Sequence, residues 1–322
     1  MGSIQSAIAL VGIAKQTAKG SAAAQPTYAH GITDGAVSKL DISQDREERT
    51  SGTRFAPAVN RTEAQPAADY TCRAHPRTLP LYLYAALGSI ATTGAGPYTH
   101  VITTGADLPY LSLFGKIGAE ILRVPDAKLD ELKLSWSGNE PLEVAVTAIG
   151  CEVDPQATWT PTTDDSQAAY WTPVGGTFQL DIDGTTLAAA PVTGGDVTIS
   201  NSAAPIFVSG VITPNDIAVG VQTVDVTLEM TPADLADWRT IVTGTPAGTN
   251  VQGVPVYGSF SIQFANGADT LTIACTRVAF LMDFPDADAG GGAVTVTASG
   301  QVVLPAAGSP LTATVVNTIT SY

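Results

Sequence analysis

Histidine and cysteine are nearly missing from these 322 residues, and the few present are badly spaced for chemistry. His30, His75 and His100 are the only side chains of their type, and no GxSxG turn offers them a nucleophile. A hydrolase is therefore not expected. Cys72, Cys151 and Cys275 are odd in number, far apart and in no CxxC spacing, which argues against a disulfide framework or a zinc site. They fit assembly in a reducing compartment. No stretch approaches the roughly 18 apolar residues of a spanning helix, so no membrane insertion is expected. The run IALVGIA has the apolarity of a signal-peptide core, but no Lys or Arg precedes it and Lys15 follows at once. No cleaved signal is expected.

Positive charge is the next shortage. Thirteen of the 15 basic residues precede Cys151, together with 14 acids; beyond it only Arg239 and Arg277 stand against 16 acids. The second half thus carries nearly all of the net charge of −15. A tight grip on nucleic acid needs Lys and Arg to replace phosphate counterions, so this composition argues against one. It leaves room for nucleic acid as something that must not stick. What is abundant is glycine (31) and proline (21), with Thr and Val filling alternating segments, the composition of a β-dominated chain with many turns. The length allows two domains, each with its own core.

The clearest local pattern is TVDVTLEMTPADLADWRTIVTG, Thr223 to Gly244. Val224, Val226 and Leu228 alternate with Thr223, Asp225, Thr227 and Glu229, the period of a strand with one buried face. At Thr231 the period changes. Thr231 suits an N-cap, Pro232 the first helical turn and Asp234 its dipole, and Gly244 a stop after Leu235, Trp238, Ile241 and Val242. A comparable strand and helix occur earlier, AADYTCRA followed by a helix within Thr78–Leu87 that Gly88 ends.

Taken in order, residues 1–36 read as an extended N-terminal arm. A strand at Val37–Ser43 and a long polar loop with Arg46, Glu47, Glu48, Arg49, Arg54 and Arg61 follow; so long a loop usually makes contacts. Strands at Ala68–Ala74, Tyr98–Thr103, Tyr110–Lys116, Glu120–Val124, Leu129–Trp136 and Leu142–Ile149 complete a first β domain, 37–150. Residues 151–176, rich in Pro, Thr and Asp, read as a linker. A second β domain, 177–322, repeats the order: a strand, a long loop, the strand and helix at Thr223–Gly244, then further strands. The recurrence predicts a duplicated domain.

Other constellations lead nowhere. Asp181, Asp183, Asp283, Asp286 and Asp288 lack the EF-hand spacing and its distal Glu, and read as turn residues. Gly290, Gly291 and Gly292 have no following GK[ST], so no phosphate loop is expected. Glu140 and Glu143 are paired acids of the kind glycosidases use, but adjacent acids at a strand turn are usually surface residues. Neither cofactor, metal nor enzymatic activity is expected.

The N-terminal IALVGIAKQTAKGSAAAQPTY, DREE after the first strand, TCRAHPRTLPLYLYAALG, GAGPYTHVIT and the ending TATVVNTITSY together resemble the tail tube (major tail) proteins of long, non-contractile-tailed bacteriophages. The resemblance implies mainly β subunits, sheets with a flanking short helix, that stack as rings around a channel for DNA within the virion and meet other tail proteins. Barrel closure across subunits would remove unpaired sheet edges. An acidic channel would repel phosphates and let the duplex slide. Strand parity makes Thr223, Asp225, Thr227 and Glu229 a candidate channel wall, with Asp69, Thr71 and Arg73 as its less acidic counterpart. The arginine-rich loop is the candidate ring-stacking element. Two tube folds per chain would give a trimeric, pseudo-hexameric ring; a tube fold plus an immunoglobulin-like decoration domain would give a hexamer. The helix expected at Pro232–Thr243 favours the trimer, since immunoglobulin-like sandwiches lack one. A surface or capsid-decoration β-sandwich that binds a partner is the competing reading.

Overall fold

The computed structural model describes residues 9–46, 58–164, 170–182, 184–187, 192–231, 235–245, 247–251, 253–282 and 294–322. The first half contains β1 (Ala9–Lys15), β2 (Tyr28–Gly31), β3 (Asp34–Arg46), β4 (Val59–Arg73), α1 (Leu79–Leu87), β5 (Gly88–Thr93), β6 (Tyr98–Thr104), β7 (Leu111–Ile117), β8 (Glu120–Ser137) and β9 (Glu143–Ile149). Two short pairs, β10 (Asp154–Pro155) and β11 (Thr162–Thr163), lead to β12 (Phe178–Ile182), β13 (Thr185–Thr186), β14 (Val192–Ser200), β15 (Ala204–Ile206), β16 (Asp216–Ala218) and β17 (Thr223–Met230). The chain ends with α2 (Leu235–Thr243), β18 (Val256–Asn266), β19 (Asp269–Met282), β20 (Val296–Val302) and β21 (Leu311–Asn317).

One scheme of pairings occurs twice. In the first half β2 pairs with β1, β1 with β7, β7 with β8, β8 with β9, β9 with β4 and β4 with β3. In the second, β13 pairs with β12, β12 with β18, β18 with β19, β19 with β20, β20 with β17 and β17 with β14. All of these pairs are antiparallel, and each helix follows the corresponding strand, β4 or β17. A close backbone approach recurs as well. A Cβ on Gly35 would lie 2.2 Å from the Asp69 carbonyl oxygen, and one on Gly195 would lie 2.4 Å from that of Thr227. Gly35 is opposite Tyr70 and Gly195 opposite Leu228, so the two glycines hold the same place in the two repeats.

The repeats join edge to edge. β14 pairs with β8 over Ser200↔Glu131 to Gly194↔Ser137, giving one sheet in the order β3-β4-β9-β8-β14-β17-β20-β19. Leu132 beside Ile199 and Leu134 beside Val197 are fully buried at this seam. Burial of such side chains contributes about 1.5–3 kcal/mol each. A single hydrophobic cluster runs from Val11 through Tyr70, Leu132 and Val197 to Phe260 and Val315. A further link is β21, which pairs with β19 and with β6 of the first half.

α1 begins after Thr78 and stops at Gly88, whose φ of 95° is left-handed and whose N–H donates to the Tyr84 carbonyl. It is apolar nearly all round because it packs against β1, β5, β6 and β8. α2 ends at Gly244, φ 79°, with Ile241 buried against the sheet side.

Several expectations need correction. Within the arm expected at 1–36, Ala9–Lys15 is a strand zipped to β7, with Val11 and Ile13 in the core; alternation was hidden because both faces of β1 are apolar. The linker expected at 151–176 is anchored: Trp171 is fully buried, and its backbone N–H donates to the Ala74 carbonyl. Glu120–Val124 and Leu129–Trp136 form the single strand β8, bent at Asp126, whose φ is 50°. The loop expected after Ser43 is strand on both sides of its tip: Arg46 is opposite Val59 and Arg61 opposite Gln44. Glu47, Glu48, Arg49 and Arg54 lie outside the described residues, as do Pro232, Asp234, Asp183, Asp283, Asp286, Asp288 and the glycine triplet 290–292.

Candidate functional site

The buried face of the joined sheet is set by period-2 alternation; the other face is mainly polar, with Ala145 and Leu281 as apolar members. Register brings the two predicted residue sets into common cross-strand rows. Asp69, Thr147, Glu131, Ser200 and Thr223 form one row. The next is Thr71, Ala145, Lys133, Thr198, Asp225 and Gln301. A third contains Arg73, Glu143, Ser135, Asp196, Thr227 and Ser299. Glu229 stands in the row after that, opposite Gly194 and Thr297.

Two ion pairs hold down part of the charge. Arg73 Nη1 is 3.5 Å from Glu143 Oε2, and Lys133 Nζ is 3.5 Å from Asp196 Oδ2. Both pairs are partly exposed, so each contributes at most about 1 kcal/mol. Asp69, Glu131, Asp225 and Glu229 have no ion-pair partner among the described residues, and the face is net acidic. A sequence profile for a family described as phage tail tube protein matches residues 6–312. The chain belongs to the phage tail tube protein family. No curated protein matches it. The match spans both repeats, so this tube protein is a structural component of the phage tail from near its first strand to its last. Among the described residues, no helix is long and apolar enough to cross a membrane.

Each repeat of the tube protein has two sheet edges, and only one edge of each repeat is occupied at the seam. β14 lies between β17 and β8, whereas its counterpart β3 pairs, among the described residues, with β4 alone. At the other end of the sheet, β18 leaves β19 after Phe280, so Leu281 and Met282 pair with β20 alone. Exposure follows the same contrast: Ile199 is fully buried, while Leu40, its counterpart by register, is 44% exposed, and Leu281 is 70% exposed.

The histidines are core residues. His30 is fully buried, with Nε2 2.9 Å from Tyr82 Oη, and Tyr70 donates to the same oxygen at 2.7 Å. Burial, with His75 stacked against it, lowers its pKa to about 3. Imidazole is therefore neutral here. Burial raises the Cys72 and Cys275 thiols to about 12 and Cys151 to about 11, so none is a reactive thiolate near neutrality. Glu143, one of the paired acids, is taken up by Arg73. Asp181 accepts from Gln179 and Thr186 as a turn residue does. No group of three or more His, Cys, Asp or Glu among the described residues could hold a metal.

Sequence reasoning passed over Glu131, Lys133, Glu143 and Asp196 as members of the polar face. Their signal was present in DELKLSWS and EVAVTAI, which alternate as cleanly as TVDVTLEM. What alternation lacks is the register that sets those strands between β4 and β17.

Proposed function

We propose that three copies of this chain close into a ring by pairing β3 of one with β19 of the next, and that rings stack into the tail tube. The observation that carries this reading is the β8–β14 seam, a working example of one repeat's fourth strand joining the next repeat's first. Carried across copies, the same register sets Asp41 beside Leu281, the counterparts of Ser200 and Glu131. An open sheet edge invites such pairing, and head-to-tail contacts that close make rings. The polar rows then line the channel. Their acids repel a passing duplex, which carries about one charge per 1.7 Å of axis, so DNA slides during ejection. The arginine-rich segment between Arg46 and Val59 bridges successive rings, other tail proteins cap the tube, and assembly takes place in the host cytoplasm.

Negative-stain images of the concentrated protein are expected to show tubes with a central channel. Mass photometry of single rings separates three copies of 33.0 kDa, about 99 kDa, from six, about 198 kDa. Monomers at every salt and protein concentration sink the proposal and favour a decoration or binding protein.

A further inference from the structure

The connection between β14 and β17 does not stay with its own repeat. It follows β14 across the seam and closes the end of the first repeat. Ile217, on β16, is 2% exposed and packs against Ile149 and Cys151. Beside it, Asp216 accepts from Tyr110 Oη at 2.9 Å and pairs with Lys19 at 3.2 Å. Ala203 N–H donates to Asp130 Oδ1 at 2.7 Å, and Asn201 N–H to the Asp130 carbonyl at 2.8 Å.

The matching end of the second repeat is bare among the described residues. Val303 N–H donates to the Arg277 carbonyl at 3.0 Å as Cys151 N–H does to that of Pro125 at 3.5 Å, which puts Val303 in the place of Cys151. Cys151 is 7% exposed, whereas its counterpart Val303 is only half-buried, and Leu304 beside it is 75% exposed. The matching hairpin of the first repeat meets the β14–β17 connection at Ala64, whose N–H donates to the Ile212 carbonyl at 2.7 Å, but leaves Leu40, Ile42 and Val59 exposed. Register says which residue would do the covering. Ile217, opposite Pro205, precedes Thr227 by the same interval of ten residues that separates Val59, opposite Arg46, from Asp69, and Asp69 and Thr227 are counterparts.

We infer that Val59 of one copy packs against Val303 and Leu304 of the adjacent copy in the same ring, in the place that Ile217 occupies on Ile149 and Cys151 within the chain. The inference rests on the ring reading and adds a second contact, away from the strand edges. Each ring junction is then a strand seam plus a hairpin that seals its end, as at the seam inside the chain.

The test is disulfide trapping in the assembled full-length protein. Val59 and Leu304 are exposed in the single chain, so Val59→Cys with Leu304→Cys leaves the core intact, and native Cys72, Cys151 and Cys275 are buried. Mild oxidation is expected to abolish the monomer band and give a limiting covalent ring, a trimer if three copies close, while either single variant stays monomeric on the gel. Asp41→Cys with Leu281→Cys serves as the reference for the strand seam. If the reference pair links and the Val59 pair does not, the hairpin contact is wrong and the ring stands. A Val59–Leu304 ladder running past the size of one ring places the hairpin on another ring and overturns the inference. If neither pair links, the ring reading fails and this contact falls with it.

Discussion

The two repeats use one pairing scheme to opposite ends at their first strands: that of the second repeat is satisfied inside the chain, and that of the first is left exposed. β14 has a neighbour on each side, and the hairpin beyond it is docked; β3 has one neighbour, and its hairpin shows Leu40, Ile42 and Val59 to solvent. The helices differ in the same way. α1 is enclosed by β1, β5, β6 and β8 and carries no charge, whereas α2 follows its strand with Asp237 and Arg239 in sequence and Arg239 exposed. The extra cover on α1 is the β5–β6 hairpin, and β6 is the strand that takes β21 from the far end of the chain. A repeated unit whose two copies differ chiefly in what covers them points to where the missing cover comes from.

The largest expected effect breaks the correspondence itself. Gly35→Ala and Gly195→Ala each drive a methyl into a backbone carbonyl, at 2.2 Å and 2.4 Å, and at Gly195 also into the Trp136 ring at 2.8 Å. Gly35 adds a left-handed φ of 95°. Each variant is expected to lose about 3 kcal/mol or more, read as a lower midpoint in urea. Equal tolerance of alanine at Gly35 alone would mean that the two glycines are not counterparts and that the first repeat is built differently from the second.

Next in size is Asn201, which is 1% exposed and belongs to the seam only. Its Nδ2 donates to the carbonyls of Ala86 and Leu129 at 3.2 Å, and its Oδ1 accepts from Gln222 at 2.9 Å. Asn201→Ala takes the side-chain donor from the Leu129 carbonyl on β8 and leaves the Ala86 carbonyl near the end of α1 to Gln222 Nε2 alone, at 3.0 Å, with an expected loss of about 1–2 kcal/mol. Hydrogen exchange should then quicken on both sides of the β8–β14 seam. An effect confined to the second repeat would count against a shared seam.

How much of this was legible follows from which signals are local. The strand and helix at Thr223–Gly244 and the helix ending at Gly88 are written in periodicity and stop residues, and both are present. β1 was not legible, because a strand buried on both faces has no alternation to read. Arg46 and Arg61 looked like loop residues because a hairpin arm that extends beyond its sheet is exposed on both faces and shows no alternation of buried and polar positions. The polar face was read strand by strand, but its rows depend on register between strands far apart in sequence, such as Glu131 beside Ser200. No local pattern encodes that.

The pH response should separate the repeats, since all three histidines lie in the first half. His30 has its pKa lowered from 6.5 to about 3, so the unfolded chain binds a proton that the folded chain refuses between those values. Its contribution to stability is intact above pH 6.5 and is lost as pH falls toward 3, amounting to about 2 kcal/mol at pH 5. Urea midpoints at pH 7 and pH 5 measure it, and His30→Gln is expected to flatten the difference. A slope that persists unchanged in that variant assigns the acid sensitivity to another group.

The smallest effect on stability is expected on the polar face, where function should respond most. Asp225→Lys with Glu229→Lys alters exposed positions without ion-pair partners among the described residues, and should shift stability by no more than about 0.5 kcal/mol per site. Arg73→Glu in the first repeat loses the pair with Glu143 and the bond to the Pro141 carbonyl and sets two carboxylates opposite each other, at a cost of about 1–2 kcal/mol. Their consequences for DNA have opposite sign. Assembled tubes of the lysine variant should retain short duplex DNA at low salt and release it as salt rises, because phosphate contacts are salt-dependent. The Arg73→Glu tubes should retain even less than the unaltered protein. If both sets of tubes hold equal DNA, the rows Thr71–Asp225 and Arg73–Thr227 do not face the channel, and the acidity of the second repeat serves the outside of the tube instead.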